Sequence, residues 1–183
     1  YQIYNLRGVD GVAISILKDI NSDNYGNGLN QIEFGFYWNQ VRDTSRTHLY
    51  DKGSIIVNST KMRSSFAGIN SELSFDFTPF QSSDWSFNRI TLINSFDQKL
   101  GLLGGRFRQV YGQIWSNQDG APLQERFNVE GAGSGDLYKK SYLRDKTSFY
   151  GNKSFFGQYH LPGDANLRAF GNQGFAGVEQ VFA

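Results

Sequence analysis

The carboxylates Glu72 and Asp76 are the first residues whose type and spacing could do chemistry. Glycoside hydrolysis needs two carboxyl groups across one bond, about 5–5.5 Å apart for retention and about 6.5–9.5 Å for inversion. Four residues apart on one strand face, this pair would stand roughly 13 Å apart. That is outside both arrangements, so the pair reads as polar lining. His48 and His160 are the only two histidines, and neither has a partner pattern, so both read as surface residues. Cysteine is absent, which removes thiolate nucleophiles, cysteine metal sites and disulfide frameworks. Gly101-Leu102-Leu103-Gly104-Gly105-Arg106 lacks the Gly-Lys-Ser/Thr ending of a phosphate loop. Lys139, Lys140, Arg144 and Lys146 form a loose basic patch that reads as a solvated loop. Net charge is +1, with 18 Lys+Arg against 17 Asp+Glu. Such a balance carries no electrostatic footprint for nucleic acid. The expectation is therefore no catalytic residues, no metal, no cofactor and no nucleic-acid partner. Any enzymatic activity would lie in a domain outside these residues.

The elements that would carry these residues repeat with period two. From Asn30 to Val41, Ile32, Phe34, Phe36 and Trp38 alternate with Gln31, Glu33, Gly35, Tyr37 and Asn39. From Ala67 to Phe77, Ala67, Ile69, Leu73, Phe75 and Phe77 share one parity, with Ser71 as the polar exception. Gly68, Asn70, Glu72, Ser74 and Asp76 share the other. Val12, Ile14 and Ile16 alternate with Gly11, Ala13 and Ser15. Trp85 to Phe96 changes phase near Arg89, which predicts a bulge or a register change there. Lys99 to Trp115 reads as one long strand interrupted by Gly104-Gly105. Turn signals fall at Asn21 to Gly28, Asp51-Lys52-Gly53, Asp119-Gly120 and Pro162-Gly163-Asp164. Six to seven strands in an antiparallel meander follow, with no convincing helical period. Aromatics at 16% and 21 glycines suit an all-β chain.

Alternation has two physical sources. In a soluble sandwich the apolar face meets a second sheet. In a membrane barrel it meets lipid, and the polar face lines a lumen. The heavy Phe and Trp content of the apolar faces, and strands near the ~9–11 residues a tilted span needs, favour the barrel. Ile32, Phe34, Phe36, Trp38, Leu73, Phe75 and Phe77 are then the lipid-facing set. No run approaches the ~18 apolar residues of a spanning helix.

Near the C-terminus stands Leu161-Pro162-Gly163-Asp164-Ala165-Asn166-Leu167-Arg168-Ala169-Phe170, followed by Gly171, Gly174 and Gly177. This stretch resembles the sixth extracellular loop of the bacterial surface antigen superfamily. Its members are sixteen-stranded outer-membrane barrels that include BamA, TamA and the two-partner secretion transporters. Leu167-Arg168-Ala169-Phe170 sits on the family's Val/Leu-Arg-Gly-Phe/Tyr, with Ala169 in the glycine place. Gly163 and Asp164 sit on the Gly-rich lead. Pro122-Leu123-Gln124-Glu125-Arg126-Phe127 is similar to the family's approach to this loop. The resemblance implies a loop folded into the lumen and latched there by Arg168 on an acidic residue. Glu179 is the first candidate partner, with Glu33, Glu72 and Asp76 behind it.

The resulting expectation is a partial antiparallel transmembrane β-barrel. Residues 1–130 carry the strands, 131–177 the long loop, and 178–183 the start of the next strand, as a fragment of a larger barrel. The resemblance implies insertion or export of proteins at the outer membrane of a Gram-negative-type bacterium. Membrane lipid, client proteins and other envelope subunits are the implied partners. One alternative is a barrel that anchors an exported N-terminal domain such as a metallopeptidase. Another is a soluble carbohydrate-binding sandwich with Trp38, Trp85 and Trp115 as stacking platforms.

Overall fold

A computed structural model describes residues 1–6, 9–20, 28–42, 51–79, 83–100, 103–116, 120–127 and 179–182. They form eight strands: β1 (Gln2–Leu6), β2 (Val9–Asp19), β3 (Gly28–Val41), β4 (Gly53–Phe66), β5 (Ile69–Phe77), β6 (Phe87–Leu100), β7 (Leu103–Ser116) and β8 (Gln180–Phe182). All eight belong to one antiparallel sheet in sequence order, so the chain is an all-β meander. The sheet is open. Among the described residues β1 and β8 are its two ends and do not pair. A single 3₁₀ turn, Leu123–Glu125, is the only helical element among the described residues.

The meander runs to one strand more than the turn signals indicate. Lys99 to Trp115 is a hairpin rather than one strand, because Leu100 pairs with Leu103 and Gly104-Gly105 lie within β7. The β4–β5 hairpin turns at Ala67-Gly68, with φ 50° and 82°. Positive φ at both central residues matches the twist of the flanking strands. The phase change near Arg89 is neither a bulge nor a register change. β6 pairs without interruption from Phe87 to Leu100. Its alternation is blurred because Phe87 and Ile93 are apolar on the same face as Arg89. The register shift lies instead between Leu29 and Gln31.

Register assigns each side chain to a face, since residues paired across strands point the same way. One face, called inner here, bears Val41, Asn39 and Tyr37 on β3, Ile55 and Val57 on β4, Asp76 on β5, Phe87 and Arg89 on β6, and Val110 and Ile114 on β7. The buried core sits here: Ile55, Val57, Phe87, Val110, Ile114, Ala121, Phe127 and Val181. The outer face bears Ile32, Phe34, Phe36 and Trp38, then Met62, then Leu73, Phe75 and Phe77, then Phe107, Tyr111 and Trp115. Large apolar groups on this face stay exposed, among them Ile16 at 70%, Phe34 at 57% and Phe107 at 62%. Among the described residues no second sheet covers them.

Candidate functional site

After β7 the chain turns back at Gly120 and runs along the inner face as far as Phe127. Pro122 has extended backbone and precedes the 3₁₀ turn. Inside the stretch, the Glu125 amide donates to the Pro122 carbonyl at 2.8 Å, and Arg126 Nε to the Ala121 carbonyl at 2.7 Å. Four contacts fix it to the sheet and its flanking loops. Asp51 Oδ2 accepts from the Leu123 amide at 2.6 Å. The Asp51 amide donates to Gln124 Oε1 at 2.9 Å, and Gln124 Nε2 donates to the Asp51 carbonyl at 3.2 Å. Glu179 Oε1 accepts from the Ala121 amide at 2.9 Å. The Phe127 ring lies on Gly112 of β7, where a Cβ would come within 2.5 Å of the ring. Only glycine permits that approach.

The fourth contact centres on Arg89. Asp76 is its cross-strand neighbour, and Asp76 Oδ2 accepts from Nε at 2.8 Å and also from Nη2. Arg89 Nη1 donates to the Glu125 carbonyl at 2.8 Å and approaches Glu125 Oε2 at 3.4 Å. Tyr37 donates its hydroxyl to the same Oε2 at 3.3 Å. The guanidinium carbon is 6.0 Å from the ring centres of both Phe87 and Phe127. Both rings are fully buried, and so is the Glu125 side chain. A planar five-donor fork suits this work, because it can serve two carboxyl groups and a carbonyl at once. Tyr37 on β3 and Arg89 on β6 are three strand spacings apart, about 14 Å in a flat sheet. Two long side chains, leaning toward each other over the inner face, bridge that span to one oxygen of Glu125.

Toward the β2–β3 and β4–β5 turns the inner face becomes polar. One cross-strand row reads Asp19, Gln31, Arg63, Glu72. Gln31 Nε2 donates to Asp19 Oδ1 at 2.7 Å, Arg63 Nη1 donates to Gln31 Oε1, and Arg63 Nε donates to Glu72 Oε2 at 2.8 Å. Lys61 lies 3.7 Å from Glu72, and Arg63 lies 3.8 Å from Glu33. Farther along, Arg106 bridges Asp97 between β6 and β7. The wall is thus strongly charged and locally neutralised.

Leu167, Arg168, Ala169, Phe170, Gly163 and Asp164 lie outside the described residues, as does the whole of 131–177. Glu33, Glu72 and Asp76 share the inner face, but each faces a cation of the sheet: Arg63, Arg63 with Lys61, and Arg89 respectively. Glu179 holds Ala121 and also accepts from the Ser116 hydroxyl at 3.4 Å. Ile32, Phe34, Phe36, Trp38, Leu73, Phe75 and Phe77 share the outer face. Trp38 and Trp115 are outer, whereas Trp85 packs against the inner cluster, so the three tryptophans form no common platform. Sequence reasoning missed Arg89, Glu125, Tyr37, Asp51 and Gly112. One signal was present: an arginine on β6 among apolar neighbours is a charge that needs a partner.

No protein-family model, curated protein or solved structure matches the chain. The fold and the inner-face contacts therefore stand on their own geometry.

Proposed function

We propose that this chain is a wall of a transmembrane β-barrel of the bacterial outer membrane, in a protein that inserts or exports other proteins. One observation carries the membrane reading. From β3 to β7 the ionisable residues Glu33, Lys61, Arg63, Glu72, Asp76, Arg89, Asp97, Arg106 and Arg108 all fall on the inner face by register. The outer face of the same strands bears no Asp, Glu, Lys or Arg at any position with a described side chain, and on β2 Asp10 and Lys18, each one residue from a strand end, lie on it. A sheet face turned to water would carry charge. A face turned to hydrocarbon excludes it, while a wet lumen accepts it.

Two further features support the reading. β3, β4, β6 and β7 are 14 residues long, more than enough to cross a hydrocarbon core when tilted. The connections 7–8, 42–52, 78–86 and 117–179 leave the end where Phe127 packs, and all but the first are longer than 20–27, 67–68 and 101–102 at the other. Outer-membrane barrels place long loops outside and short turns in the periplasm. The end carrying residues 120–127 would accordingly face the cell exterior. The role in protein assembly or export rests on the resemblance of Leu167-Arg168-Ala169-Phe170 and its glycines to the arginine loop of the surface antigen superfamily.

Membrane fractionation and heat-dependent gel mobility test the membrane reading. The expected protein partitions with outer membranes and migrates faster unheated than boiled. A protein that stays in solution without detergent and shows no mobility shift would overturn it. For the assembly role, Arg168→Ala should reduce client insertion, and unchanged client levels would remove that part.

A further inference from the structure

The outer face is not uniform. On β2 and β3 it runs Ile14, Ile16 and Ile32, Phe34, Phe36, Trp38 with no polar side chain between them. On β6 and β7 the same face alternates. Gln109 and Gln113 separate Phe107, Tyr111 and Trp115, and Asn94 stands between Leu92 and Phe96. Asn94 and Gln109 are cross-strand neighbours. Gln109 lies six residues before Trp115, about 20 Å along the strand. With Trp115 in the interfacial girdle and strands tilted near 45°, that is about 14 Å of depth, close to the middle of a ~25 Å apolar band. Two of the amide oxygens are satisfied within the sheet. Asn94 Oδ1 accepts from the Ser71 hydroxyl at 2.8 Å, and Gln113 Oε1 from the Tyr111 hydroxyl at 3.3 Å. Among the described residues, the side-chain nitrogens of Asn94 and Gln113 and the whole Gln109 side-chain amide have no hydrogen-bond partner. Water would supply one at an aqueous surface, whereas hydrocarbon supplies none. Within a bilayer such side chains hydrogen-bond across to another protein surface.

We propose that the outer face of β6 and β7 is an intramembrane interface with a second copy of this chain, hydrogen-bonded through Asn94 and Gln109. This rests on the barrel reading above. The chemistry of the patch selects the occupant. It bears no charge at any position with a described side chain, so it calls for no countercharge on a partner. A side-chain amide both donates and accepts, so the surface is complementary to itself. A twofold axis along the membrane normal, passing between β6 and β7, sets each copy's Asn94 against the other's Gln109 at similar depth. Phe107 and Tyr111, both exposed on the single chain, then meet their counterparts on either side of the amides.

The test uses the intact protein in lipid vesicles. Wild-type copies carrying donor and acceptor dyes should show energy transfer that fades only on extensive dilution with lipid. Asn94→Leu with Gln109→Leu should keep the heat-dependent mobility shift and lose that transfer at a several-fold lower lipid-to-protein ratio. A second measurement keeps both amides. The chain has no cysteine, so Leu92→Cys and Phe34→Cys each report one site, beside the proposed axis and four strands from it. A short bis-maleimide should join two copies through Leu92→Cys and not through Phe34→Cys. A monomeric wild type in vesicles, a leucine variant that associates as the wild type does, or equal cross-linking at the two sites would overturn the interface. Cross-linking of Leu92→Cys in native membranes to a different protein alone would overturn the second copy as occupant. Absence of the mobility shift and of vesicle insertion in the wild type would remove the barrel reading instead, and the intramembrane interface with it.

Discussion

Replacing Arg89 with methionine isolates the central contact, because the unbranched side chain keeps the volume and removes the charge. The structure sets the magnitude. The Arg89 side chain is 15% exposed, that of Asp76 6%, and that of Glu125 0%, so solvent screening is small. The substitution strands two buried carboxyl groups and the Glu125 carbonyl. Removing one partner of a buried pair costs about 3–5 kcal/mol. That is a large share of the ~5–15 kcal/mol that holds a typical domain. Urea titration of protein folded into lipid vesicles, followed by tryptophan fluorescence, measures it. Trp85 packs against the affected cluster and is the natural reporter. Adding Asp76→Asn and Glu125→Gln to Arg89→Met should recover most of the loss, since the stranded groups are then neutral. A loss below about 1 kcal/mol for Arg89→Met would refute the reasoning, because only exposed ion pairs are worth so little. A full loss that persists in the triple variant would also refute it, by assigning the cost to packing.

Three other outcomes follow from the same geometry. Phe75 and Ser74 are adjacent but point to opposite faces; Phe75→Lys should cost about 2–4 kcal/mol in lipid while Ser74→Lys is tolerated, and equal effects in a vesicle-folding assay would count against a lipid-facing outer surface. Gly112→Ala puts a methyl group into the Phe127 ring; thermal unfolding should register a loss of about 1–3 kcal/mol, restored by adding Phe127→Val. Ala67 sits at φ 50° in its hairpin turn; Ala67→Gly should add up to about 1 kcal/mol to stability in the urea assay, because the left-handed region penalises a Cβ.

Period-two alternation made the strands legible because a strand must turn successive side chains to opposite faces. Glu33, Glu72 and Asp76 were assignable to one stripe, and Phe34 and Phe75 to the other, before any coordinates. The hairpin at Ala67-Gly68 was not visible, since alanine signals no turn and takes positive φ only under the demand of the strands on either side. β6 was misread near Arg89 because alternation fades where the inner face is itself apolar. Which acid meets which cation was beyond the sequence altogether. Arg89 and Glu125 are 36 residues apart, and nothing local connects them.

Composition and parity alone determined an all-β chain with one apolar and one charged stripe, since those depend only on neighbouring residues. The tertiary structure decided that Arg89 binds the folded-back segment through Glu125, and that Gly112 leaves room for Phe127. Those facts depend on register accumulated across six strands and on a connection that returns over them. A one-residue slip of β6 against β5 would have sent Arg89 to the face opposite Asp76 and left Glu125 without its cation.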